Sequence, residues 1–159
     1  MTNWTHDAYG VAHLWMAVAA LLAGTLVLAL RKGTRLHKRV GYVYVASMVP
    51  MLASSFVIQR LYGGWGLFHV FSVVGSLTLM AGMLPVWFRR PVRSWKSLHF
   101  GFMYWSVIGL YAAFAAELLV RVPDTPFYTM VGIASTGVVT AGGFYFASKT
   151  KQWEKAFGD

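Results

Sequence analysis

Five apolar stretches, a charged fraction of only 12% and basic residues gathered into three short segments make this chain an all-α integral membrane protein with five transmembrane helices. Soluble domains carry about 25% charged residues; here 57% of residues are hydrophobic and the mean hydropathy is +0.55. The 159 residues hold five spans of about 20 residues each and little besides. A single membrane domain over 1–159 is therefore expected, with no soluble domain. The net charge of +9 would suggest nucleic acid in a soluble protein. Here the basic residues flank the spans and read as topology signals facing anionic lipid, so the bilayer is the expected partner and nucleic acid is not. The absence of cysteine removes disulfides, thiolate metal sites and thiol nucleophiles.

Each span has its own warrant. The first, 9–30, is rich in Ala and Gly and carries the interface aromatics Tyr9 and Trp15 at its start. Residues 1–8 hold no Lys or Arg, so this stretch is expected to cross the membrane rather than serve as a cleaved leader. The second, 40–59, follows the basic segment 31–39, in which Thr34 is a candidate N-cap that would put His37 in the first helical turn. The third, 67–88, begins after the Gly63-Gly64 turn signal and stops before Arg89, Arg90 and Pro91. The fourth, 98–120, ends at Pro123-Asp124-Thr125-Pro126. The fifth, 127–148, contains Gly132, Ser135, Thr136, Gly137, Ala141, Gly142 and Gly143. Small residues let helix backbones approach closely. This helix is expected to pack on the outside of the other four, with a homo-oligomer seam as its second use.

Charge sets the orientation. Arg31, Lys32, Arg35, Lys38 and Arg39 lie in the first connection, Arg89, Arg90, Arg93 and Lys96 in the third, and Lys149, Lys151 and Lys155 in the tail. Only Arg60 and Arg121 lie on the other side. The positive-inside rule then puts the N-terminus outside and the C-terminus in the cytoplasm of a cell (inner) membrane protein. An odd number of spans demands the same. Trp4, Tyr9, Trp15, Tyr62 and Trp65 would form the outer aromatic belt, and Trp87, Trp95 and Trp153 the inner one.

Helical phase at 100° per residue sorts the polar residues onto faces. The first span gives His13, Ala17, Ala20 and Gly24; the second gives His37, Gly41, Tyr44, Met48, Ser55 and Gln59. The third gives His69, Ser72, Ser76, Met80 and Met83, and the fourth gives His99, Ser106, Ala113 and Glu117. Lipid does not tolerate such faces, so the first four helices should form a polar-lined bundle. Two clusters follow. The outer one holds His13, His69 and Glu117, with Gln59, His6 and Asp7 nearby. The inner one holds His37 and His99 among basic residues.

Three chemistries suit these clusters. Bis-histidine ligation of two haem b groups needs one histidine from each of two facing helices at one depth. His13 with His69 and His37 with His99 meet that layout, and two stacked haems would carry electrons across the membrane. Alternatively, His13, His69 and Glu117 offer a two-imidazole, one-carboxylate Zn site with an open position. The same three groups would also serve a quinone or a proton relay. Without any of these, histidines at helix ends cap carbonyls, Glu117 pairs with Arg121 at i, i+4, and the chain is a scaffold or accessory subunit of a larger membrane complex.

Two resemblances bear on this. The histidine and helix layout is similar to that of two-haem transmembrane cytochromes b, which implies haem and a quinone or redox protein partner. The segment Leu36-His37-Lys38-Arg39-Val40-Gly41-Tyr42 is similar to a helix start in ferric-reductase membrane domains. More broadly, Ala12-His13-Leu14, Lys32-Gly33-Thr34 through Gly41-Tyr42-Val43-Tyr44, Phe68-His69, Leu98-His99, Gly109-Leu110-Tyr111-Ala112-Ala113 and Ala116-Glu117 resemble a bacterial family of small predicted multi-span membrane proteins of unknown function. Membership implies that His13, His37, His69, His99 and Glu117 are family features, and it implies no activity.

Overall fold

The computed structural model describes residues 8–58, 64–91 and 94–157, with side chains up to Trp153. The described residues are all helix and connection, with five helices long and apolar enough to cross a membrane. They are α1 (Ala8–Ala29), α2 (Arg35–Val57), α3 (Leu67–Phe88), α4 (Trp95–Leu119) and α5 (Phe127–Phe157). At 1.5 Å per residue the shortest, with 22 residues, reaches about 33 Å, enough for a hydrocarbon core of about 30 Å. The large apolar side chains that face outward, among them Trp15, Leu22, Leu77 and Phe144, are what lipid contact requires.

Three boundaries lie three or more residues from the sequence expectation. α2 begins at Arg35 rather than at 40, because the Thr34 hydroxyl accepts the His37 main-chain N–H at 3.1 Å and so starts the helix inside the basic segment. α4 begins at Trp95 rather than at 98, following Ser94. α5 continues past 148 to Phe157. Its polar tail lacks Gly and Pro until residue 158, and nothing in it breaks a helix. Pro50 and Pro85 lie inside α2 and α3 without ending them.

The chain forms two compact units, the first running to Ser76 and the second starting at Leu77, so the boundary falls within α3. In the first unit α1 packs on α2, burying Ala20, Ala23 and Val27 on one and Tyr44, Met48, Met51 and Leu52 on the other. Gly75 of α3 comes close to this layer. A Cβ there would stand 3.2 Å from Leu52 Cδ2. The connection between α1 and α2 is closed by Lys32, whose Nζ donates to Val27 O at 2.8 Å and Leu28 O at 2.7 Å, carbonyls left without helical partners at the end of α1. Gly33 follows with φ 79°, a left-handed conformation that a side chain would strain. Burial lowers the Lys32 amine from its usual 10.5.

In the second unit α4 packs on α5. The Tyr104 hydroxyl donates to Gly142 O at 2.8 Å, and a Cβ on Gly142 would lie 2.8 Å from Ile108 Cγ2. Phe100, Tyr104, Trp105, Phe146 and Trp153 stack around this contact. The small residues of α5 thus serve packing against α4, as expected, at one end. At Gly132 and Gly137 a Cβ would meet nothing within 4 Å. One expected face is corrected: Met80 is 57% exposed, while Leu79 and Met83 are buried. Counting 100° per residue from Ser72 returns to the same line at Leu79 and Met83 and leaves Met80 about 80° away.

Candidate functional site

The polar residues of the first unit converge where α1 begins and α2 ends. His13, in the second turn of α1, reaches across to α2. Its Nδ1 lies 3.0 Å from Met51 O and 3.0 Å from Ser54 Oγ. A carbonyl only accepts, so Nδ1 carries the proton and Nε2 carries the lone pair. The Ser54 hydroxyl gives its own proton to Met51 O at 2.8 Å and is left to accept from the imidazole. One residue on, Ser55 Oγ donates to Ser72 Oγ at 2.6 Å, tying α2 to α3. Ser72 in turn lies one helical turn beyond His69.

His69 is bonded in the opposite sense. It is the third residue of α3, and its main-chain N–H donates to Gly66 O at 3.0 Å. Its Nδ1 reaches back to accept the Gly66 N–H at 3.1 Å. This is one half of a capping box, the N3 side chain accepting the N-cap N–H, with an imidazole in the place usually held by Glu or Gln. Because Nδ1 accepts, the neutral ring holds its proton on Nε2. That Nε2 is buried and has no hydrogen-bond partner, in a residue that is 4% exposed. The Trp65 ring stacks on the imidazole at 5.2 Å between centroids and 24° between planes.

His37 is at the opposite end of α2 from the His13 contact, in the first turn, as the Thr34 cap implied. His99 belongs to the second unit, where its Nδ1 approaches Gly82 O at 2.8 Å, so it too carries its proton on Nδ1. Gly82 precedes Pro85 by three residues, in the turn of α3 that the proline loosens. Glu117, also in the second unit, is joined to Arg121 through Oε1, and Arg121 Nε donates to Glu117 O at 3.0 Å. The i, i+4 pairing anticipated for it is therefore present. Among the described residues no three His, Asp or Glu side chains are grouped to share a metal ion. His69 also does not fit a metal in this bonding state. Nδ1 spends its lone pair on Gly66, and Nε2 is protonated. Gln59, His6 and Asp7 lie outside the described residues.

Ser54 and the capping role of Gly66 escaped the sequence reading. Ser54 neighbours Ser55 and shares the depth of His13, a signal that the adjacent pair offered. The Gly66 contact had a signature too, since a glycine three residues before a histidine fits a helix start.

A helical membrane protein whose first unit holds a histidine–serine cluster, with His69 and Ser72 buried, is the class that fold and site define. The chain belongs to the family described as Predicted membrane protein (DUF2306), which matches residues 10–148. That match shows the uncharacterised multi-span membrane family and does not show a likeness to two-haem cytochromes b. No curated protein and no solved structure matches the chain.

Proposed function

We propose that this membrane protein handles a proton for a ligand dissolved in the bilayer, with His13 as the base and the His69 Nε2–H as the hydrogen-bond donor that holds the ligand. One observation carries the reading: the two imidazoles of the first unit are held in opposite tautomers by main-chain groups, and the His69 Nε2–H is buried without a partner. A neutral imidazole N–H holds an acceptor without releasing its proton, while an imidazole lone pair takes one up. The Ser54, Ser55 and Ser72 hydroxyls bridge the helices that carry the two histidines. Ionisable side chains within a span cost a few kcal/mol on insertion scales and are for that reason functional candidates. Histidine-selective 15N NMR of the full chain in lipid nanodiscs tests the proposal. The expected spectrum at neutral pH has His13 protonated on Nδ1 and His69 on Nε2. One tautomer common to both overturns it.

A second reading, haem b ligation with transmembrane electron transfer, is favoured by His13 and His99. Each donates Nδ1–H to a main-chain carbonyl, the hydrogen bond that would orient a ligating imidazole in the pairs His13 with His69 and His37 with His99. His69 would have to give up its Gly66 contact to join His13. A reduced b-type absorption band in protein purified from haem-supplied cells establishes this reading, and a colourless preparation from such cells ends it.

A further inference from the structure

We infer that the buried His69 Nε2–H is the hydrogen-bond donor of a subsite for a quinone head group, with Trp65 as the aromatic wall. The inference rests on the proton-handling reading above and names the class of its ligand. Four features define that class. The donor is protonated because Nδ1 is occupied by the Gly66 N–H, so what it seeks is an acceptor. It is buried and unpartnered in a residue only 4% exposed, and a donor facing hydrocarbon gains most from a partner. The described residues beside it, Trp65 on its face and Ser72 one helical turn on, are uncharged, which suits a neutral ligand better than an anion. Finally, Trp65 lies nearly parallel to the imidazole, 5.2 Å away, while itself 70% exposed, so a flat ring that accepts from Nε2–H in the imidazole plane can rest against the same indole. A neutral, planar, membrane-dissolved molecule bearing a carbonyl acceptor is a quinone. The ester carbonyl of a phospholipid offers the same acceptor without the ring, and the experiment separates the two.

The test follows the His69 Nε2–H resonance of the full chain by histidine-selective 15N NMR. Nanodiscs are made with ether-linked phospholipid, which has no acyl carbonyl, and a ten-carbon-tailed benzoquinone or naphthoquinone is titrated in. The resonance is expected to shift saturably with quinone, while that of His99 stays in place. Trp65→Ala is expected to raise the half-saturating concentration by about fivefold, the size of one aromatic contact. Assignment uses His69→Gln, which removes the signal and keeps a side chain able to reach Gly66. A shift on changing from ether to ester lipid, with none on adding quinone, assigns the donor to lipid and overturns the quinone. No shift in either arm, with the Nε2–H tautomer confirmed, also overturns the quinone and leaves the proton-handling reading intact. A His69 found protonated on Nδ1 instead brings down both.

Discussion

His69 combines two roles whose demands can be separated by substitution. As the third residue of α3 it caps the Gly66 N–H, a task that Gln performs at the same position. His69→Gln is therefore expected to keep the thermal unfolding temperature within a few degrees of the parent, whereas His69→Ala loses the cap at about 1 kcal/mol. Unfolding curves of both variants in one detergent check this. Equal losses would show that the ring matters through its packing under Trp65 rather than through Nδ1. The positions of the four membrane histidines and Glu117 were legible in the sequence, because polar residues in apolar stretches stand out. The position of the proton on the His13, His69 and His99 rings was not. It depends on Met51 O, Gly82 O and the Gly66 N–H, and main-chain groups leave no mark on side-chain periodicity.

Among the helices, α5 shows where small residues matter. At Gly142 a methyl group would stand 2.8 Å from Ile108 Cγ2, too close without movement. Gly142→Ala is expected to destabilise by about 1–3 kcal/mol, with partial rescue by Ile108→Ala. Gly137→Ala meets nothing within 4 Å, and its better helix propensity should leave stability unchanged or higher by about 0.5–1 kcal/mol. Thermal unfolding of the three variants tests the contrast. Hydropathy located all five helices within a few residues, since a span of about 20 apolar residues is a strong signal. It missed the end of α5, where Lys149, Lys151 and Lys155 read as a tail although good helix formers carry the helix through them. It also missed the start of α2, which is set by a single hydroxyl on Thr34 rather than by hydropathy.

At the scale of the whole molecule, the bias of basic residues makes a firm expectation about orientation. Arg90 lies in a connection with four basic residues and Asp124 in one with Arg121 alone. Because the chain has no cysteine, each introduced thiol is unique. In intact cells Asp124→Cys should react with a membrane-impermeant maleimide, and Arg90→Cys should react only after the membrane is opened. The reverse pattern would invert the topology.

The Lys32 clasp at the end of α1 carries a consequence for alkali tolerance. Its amine is held below 10.5 by burial in the folded chain and returns to 10.5 when unfolded. Between the lowered value and 10.5 the unfolded chain binds more protons than the folded one, so raising the pH through that window favours folding. Below the window both states are charged, and the burial cost of the ammonium stands undiminished. Folding of the chain that carries this turn is therefore favoured as the pH rises through that window, the opposite of what a lysine held by a carboxylate would give.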